Sequence, residues 1–192
     1  RVLFRSYLIQ DSIIGWSDAV NALFKAYLRG GPLPEFDYRD IRTKGLLLKT
    51  SGGRAPGHEP LKDAIDKCAF ILESNIGKKL TPLQAHDCLC YIADGVLAGG
   101  IRRAAMIALF SHDDEEMLGC KSGDWWKNNP QRARANNSVV LLRKNINMLD
   151  KLFKVPAINY KNFMTIWEKI KLSGSGEPGI FWTNNNNLGT NP

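Results

Sequence analysis

Apolar residues recur along this chain at two different periods. In residues 11–31, DSIIGWSDAVNALFKAYLRGG, the apolar positions Ile13, Trp16, Val20, Leu23 and Tyr27 step by threes and fours, which places them on one face of an α-helix. Asp11 or Ser12 supplies its cap, and Gly30 with Gly31 ends it. A second helix is predicted over 59–74, with Pro60 in its first turn and Leu61, Ile65, Cys68 and Leu72 inward. A third runs over 81–100, opened by a Thr81 cap and Pro82 and stopped by Gly99 and Gly100. A fourth follows Ser111, where SHDDEEML sets acids in the first turn, and a fifth over 160–172 turns Phe163, Ile166, Trp167 and Ile170 inward. Between them lie continuous apolar runs at 45–49, 104–110, 137–142 and 179–183, the pattern of strands covered on both faces. Helices alternating with buried strands predict an α/β fold with a largely parallel sheet or barrel.

The composition fits a packed domain: 192 residues, 44% hydrophobic and 23% charged. No apolar run reaches the ~18 residues of a membrane span, so a soluble, cytoplasmic protein with no membrane partner is expected. A net charge of +7 favours an anionic partner, nucleic acid or nucleotide phosphate, although no basic run concentrates it. Cys68, Cys88, Cys90 and Cys120 lack the spacing of metal ligands, and Cys88 and Cys90 point to different sides of a helix. They read as free, buried thiols. His58, His86 and His112 are too scattered for a metal site, and none is expected. The DDEE run at 113–116 reads as acids complementing a helix dipole rather than a cation site, and the adjacent Trp125 and Trp126 as core plus partial cover rather than a base-stacking pair.

Three glycine-marked loops could carry chemistry: 50–60, 98–105 and 173–179. Glycine admits positive φ and close approach of a ligand to the backbone. In the second, Gly99 and Gly100 stand just before Arg102 and Arg103, whose guanidinium forks suit a phosphate or a nucleobase. A helix terminator flanked by surface arginines fits the same residues equally well. No Walker motif and no GxGxxG is present.

Six stretches in order, DSIIGW (11–16), IRTKG with SGGRAPGHEPL (41–61), AGGIRRAAMIAL (98–109), ANNSVVL (135–141), GEPGI (176–180) and GTNP (189–192), resemble the middle of a ribonucleotide reductase large chain. The resemblance is nearest to the class II, adenosylcobalamin-dependent ribonucleoside-triphosphate reductases, and it covers nearly the whole chain. It implies part of a ten-stranded α/β barrel, with residues 1–192 forming a central portion of the catalytic domain and 1–40 assignable to an inserted segment at the effector site.

The implied reaction reduces a ribonucleoside triphosphate to a deoxyribonucleotide. Adenosylcobalamin, bound mainly by parts outside this stretch, initiates a cysteine thiyl radical; the thiyl takes the ribose 3′ hydrogen, the 2′ hydroxyl leaves as water, and a cysteine pair recharged by a thioredoxin-like reductant supplies electrons. Asn191 matches the family asparagine that hydrogen-bonds near the ribose and the catalytic carboxylate. Gly99, Gly100, Ile101, Arg102 and Arg103 match the loop between substrate base and deoxynucleotide effector. Arg42, Gly52, Gly53 and Arg54 match the other effector-proximal loop. In the family, TNP is followed by the radical cysteine and then by the glutamate, so the sequence is expected to stop one residue short of that thiol, as at an intein, a split gene or a truncation. The four cysteines present match none of the family's reactive ones. The polypeptide alone is therefore expected to be inactive without the remainder of the reductase chain. Two other functions fit parts of the sequence: a non-catalytic nucleotide-binding regulatory module, and a basic nucleic-acid-binding domain supported only by charge.

Overall fold

The computed structural model describes residues 4–48, 53–98, 105–142 and 158–183. It divides into two compact units, Arg1–Ala105 and Met106–Pro192.

The first unit opens with β1 (Phe4–Leu8), α1 (Ile13–Arg29) and β2 (Leu33–Asp37). The two strands pair in parallel, Phe4 with Leu33 through Leu8 with Asp37, and α1 is their crossover. Ser12, not Asp11, caps α1, its hydroxyl accepting from the Gly15 amide at 2.9 Å. The inward stripe is Gly15, Ala19 and Leu23, spaced by one helical turn, and Trp16, Val20 and Tyr27 pack partly buried beside it. Ile13 does not face inward as expected: it is 88% exposed. It stands at the first helical position, before the helix reaches the core.

Two longer helices follow, α2 (Glu59–Ser74) and α3 (Pro82–Leu97). The start of α3 is a complete capping box: Thr81 Oγ1 accepts from the Gln84 amide at 3.2 Å while Gln84 Oε1 accepts from the Thr81 amide at 2.9 Å. The expected inward residues of α2, Leu61, Ile65, Cys68 and Leu72, are all buried and join Ile9, Ala19, Leu23, Ile41 and Cys88 in one core. Gly95 lets the helices approach closely, since a Cβ there would lie 3.3 Å from the Pro60 carbonyl oxygen.

The apolar run at 45–49 is not a sheet strand. Its described part pairs locally with residues 53–55, with the Ala55 amide donating to the Leu46 carbonyl (2.7 Å), the Leu48 amide to the Gly53 carbonyl (3.0 Å) and an antiparallel bridge joining Leu47 to Arg54. Positive φ at Gly45 (95°) and Gly53 (86°) bends the chain there, and Leu47 is left 73% exposed. Local pairing has replaced the two-sided cover that an apolar run suggests.

The second unit is a parallel sheet of β3 (Met106–Ser111), β4 (Ala135–Leu142) and β5 (Gly179–Thr183), in the order β3-β4-β5. Two short helices, α4 (Glu115–Gly119) and α5 (Trp125–Asn128), and a 3-10 turn over Pro130–Arg134 link β3 to β4; α6 (Tyr160–Ser173) precedes β5. Asp114 caps α4, its carboxylate accepting from the Met117 amide at 3.0 Å. Central β4 is buried on both faces through Val139, Val140, Leu141 and Leu142, as its uninterrupted apolar run predicts. On α6 only Ile166 among the expected inward residues is fully buried. Trp167 is 48% exposed, because its ring stacks outward on Phe163 (6.3 Å), which in turn stacks on Trp182 of β5 (5.6 Å).

Leu141→Ala, which removes a fully buried side chain near the end of β4, is expected to cost about 2–5 kcal/mol; denaturant unfolding followed by circular dichroism would read it. Both units combine helices with parallel strands, in agreement with an α/β fold.

Candidate functional site

A cleft of about 650 Å³ lies within the first unit. The N-terminal turns of α1, residues 41–48 and 55–57, the first turns of α2 and the last turns of α3 surround it. Its floor is apolar, from Val20, Ile41, Leu61 and Ala64, and polar groups gather at Asp11, Ser12 and Arg42. Arg42 Nε donates to Asp11 Oδ2 at 2.6 Å, with the two side chains 41% and 31% exposed. The positive end of the α1 dipole and the Arg42–Asp11 pair therefore meet over an apolar floor. Such an arrangement suits a ligand with a flat apolar part and an anionic group that displaces Asp11 from Arg42.

Backbone fit makes this corner intolerant of added bulk. A Cβ at Gly15 would lie 2.3 Å from the Gln10 carbonyl oxygen and 2.8 Å from Gln10 Cβ. Gly15→Ala is expected to push the start of α1 away from the β1–α1 turn and to cost about 1–3 kcal/mol, read as a lowered melting temperature together with weakened ligand binding in the cleft.

Comparison with known proteins identifies the lineage. The chain is 31% identical over 183 residues, 93% of its length, to a protein of Dictyostelium discoideum described as a probable adenosylcobalamin-dependent ribonucleoside-triphosphate reductase. It is likewise 31% identical over 183 residues, again 93% of its length, to the adenosylcobalamin-dependent ribonucleoside-triphosphate reductase of Euglena gracilis. The chain belongs to this reductase family. A shorter match, 35% identical over 105 residues and 55% of the chain, joins it to the enzyme of the same name from Lactobacillus leichmannii. The chain spans 21%, 22% and 14% of these relatives' own lengths. No family model and no solved structure matches it.

Of the residues matched to reductase motifs, the structure brings Arg42 to the cleft. Gly53 and Arg54 instead close the neighbouring turn, Arg54 Nη1 donating to the Gly45 carbonyl at 2.9 Å. Gly52, the loop residues Gly99, Gly100, Ile101, Arg102 and Arg103, and Asn191 lie outside the described residues. Ile92, Gly95 and Val96 of α3 line the cleft, and in sequence α3 leads directly into the Gly99–Arg103 loop. Asp11, Ser12 and Trp16 escaped sequence reasoning as site residues. Their signal was the DSIIGW motif itself, which local pattern explains fully as a helix cap.

The remaining candidates have structural roles. All four cysteines are free and buried; the Cys68 thiol is pushed up by its hydrogen bond with Cys88 and by burial, the same hydrogen bond lowers Cys88, and Cys120 is pushed up mainly by burial. Raised thiols such as Cys68 and Cys120 are poor nucleophiles. The His58 ring lies 5.6 Å from that of Tyr38, and His86 is buried beside Cys90. Among the described residues no group of three metal-ligating side chains occurs. Asp114 caps α4 and Glu115 pairs with Lys169, so the acidic run needs no cation. Trp125 and Trp126 meet edge to face at 6.5 Å, with Trp126 half exposed. No described helix is long and apolar enough to cross a membrane.

Proposed function

We propose that this chain is a segment of a ribonucleotide reductase large chain, acting on ribonucleoside triphosphates and supplying the surfaces that read nucleotides. The observation that carries the reading is the cleft: a helix N-terminus and Arg42 over an apolar floor, in a chain whose relatives are named ribonucleoside-triphosphate reductases. The ligand of the cleft is a deoxynucleotide effector, with its phosphates toward Arg42 and the start of α1 and its base toward the apolar wall. Gly99, Gly100, Ile101, Arg102 and Arg103 carry the effector's identity from α3 to the substrate base. Asn191 holds the substrate ribose and the catalytic carboxylate, a task for an amide, which donates and accepts without changing charge.

Strands β3, β4 and β5 belong, in this reading, to the family's ten-stranded barrel. Residues 1–40 share one core with α2 and α3 through Ile9, Ala19 and Leu23, and they contribute to the effector site through the start of α1. A cleft of about 650 Å³ is of a size to hold a nucleotide. In this reading adenosylcobalamin and the thioredoxin-like reductant belong to other parts of the reductase.

A second reading, a non-catalytic nucleotide-binding regulatory module, is favoured by one observation: every residue lining the cleft lies in the first unit, which has its own core. Both readings predict saturable binding of deoxynucleoside triphosphates by calorimetry and no binding of duplex DNA. Salt-sensitive DNA binding without nucleotide binding would overturn both in favour of a nucleic-acid partner.

A further inference from the structure

The second unit buries a charged side chain that the proposed chemistry does not use. Lys121, in the turn after α4, is 5% exposed. Its ammonium donates to the Ala135 carbonyl at 2.5 Å, pairs with Glu177 Oε2 at 2.7 Å and lies 5.4 Å from the centre of the Trp125 ring. Glu177 Oε2 also accepts from the Asn137 amide at 3.3 Å. Asn137, itself 2% exposed, donates through Nδ2 to Cys120 Sγ at 3.0 Å. Three stretches of chain are thus tied together: the turn at 120–125, the start of β4 and the loop entering β5.

An ion pair whose lysine is buried and whose glutamate is 23% exposed adds little net stability over an apolar pair of the same size, so a role in specificity is the better account of it. Strand β5 needs one. Its residues Ile180, Phe181 and Trp182 are apolar on both faces, so the contrast between faces that ordinarily sets strand register is missing. Glu177 stands two residues before the first β5 position and reaches Lys121 and the Asn137 amide together from the observed register. A second pin stands beside it: Gly179 pairs with Ser138, and a Cβ at 179 would lie 2.9 Å from Ser138 Oγ. A slip of one residue would move β5 by about 3.3 Å and exchange its faces.

We propose that Lys121 and Glu177 are positioning residues that lock the register of β5, the strand that Asn191 follows in sequence, eight residues after Thr183. The inference rests on the role given to Asn191 above. Its test uses the complete reductase carrying Lys121→Met with Glu177→Leu, which removes both charges and leaves neither partner buried alone. The expected result is a kcat lowered about 10- to 100-fold, with substrate KM and effector affinity unchanged and with faster amide hydrogen exchange confined to residues 179–183. Gly179→Ala, which forces the register without touching a charge, is expected to lower kcat similarly, and adding Ser138→Ala is expected to restore it. Should the double variant not fold, Glu177→Gln, which removes one charge and keeps the side chain's shape, decides the matter by the same readouts.

A merely structural ion pair would lower the melting temperature and leave kcat per folded molecule intact. Unchanged kcat in the folded variants overturns the proposal whatever the exchange shows. Should the unaltered protein reduce nothing, the role of Asn191 fails by itself, and hydrogen exchange at 179–183 still decides the clamp: unchanged protection there overturns it.

Discussion

Asn191→Ala in the complete reductase is expected to lower kcat about 100- to 1000-fold, the loss that follows removal of one preorganised hydrogen-bond donor at a reacting centre. The amide is assigned to the ribose and to the carboxylate that handles its proton, so its loss is felt as bonds rearrange rather than when substrate docks. KM should change little. Asn191→Asp would add a negative charge beside that carboxylate and is expected to be at least as damaging, because two adjacent carboxylates raise each other's pKa and one would hold a proton at neutral pH. Steady-state deoxynucleotide formation, fitted for kcat and KM separately, reads the effect. A large rise in KM at constant kcat would reassign Asn191 to substrate binding alone.

Arg42→Ala is expected to weaken deoxynucleoside triphosphate binding about 10- to 100-fold, from the loss of charge-assisted bonds to phosphate worth roughly 1.5–3 kcal/mol. Asp11 would then face the phosphates without its partner, which adds repulsion to the lost attraction. Both side chains of the Arg42–Asp11 pair are more than a quarter exposed, and exposed pairs contribute little to folding. The melting temperature should accordingly stay near that of the unaltered protein, which separates a binding effect from an unfolding one. Arg42→Lys should recover part of the affinity, since an ammonium keeps the charge but not the fork. Isothermal calorimetry with a deoxynucleoside triphosphate measures both variants.

Much of the fold was legible because local signals agreed with tertiary packing. The cap at Thr81, the stop at Gly30, and the stripe Leu61, Ile65, Cys68 and Leu72 each follow from one residue type meeting one geometric need. The apolar run of β4 predicted two-sided burial, and the parallel sheet supplies it. Strands β1 and β2 were not legible: LPEFD places a proline and two acids in a short strand, and their pairing joins residues on opposite sides of a helix. The run at 45–49 misled because local pairing with residues 53–55 consumes the hydrogen bonds that a sheet would take. Trp167 misled because helical periodicity cannot tell a core position from an aromatic stack on a neighbouring strand.

For the site, Arg42 emerged through a motif match, whereas Asp11, Ser12 and Trp16 needed the chain to bring residue 11 and residue 42 within 2.6 Å. No local pattern encodes that approach. Lys121 was equally silent, since a lysine followed by Ser and Gly reads as solvated turn until Glu177, far along the chain, is found beside it.

The central claim is tested most directly by assaying the complete reductase that carries this segment for reduction of ribonucleoside triphosphates, with and without adenosylcobalamin. The account predicts deoxynucleotide formation that requires adenosylcobalamin and falls sharply with Asn191→Ala. Equal activity without the cofactor would contradict the adenosylcobalamin-dependent reading, and nucleotide binding with no reduction under either condition would contradict catalysis and leave the regulatory module.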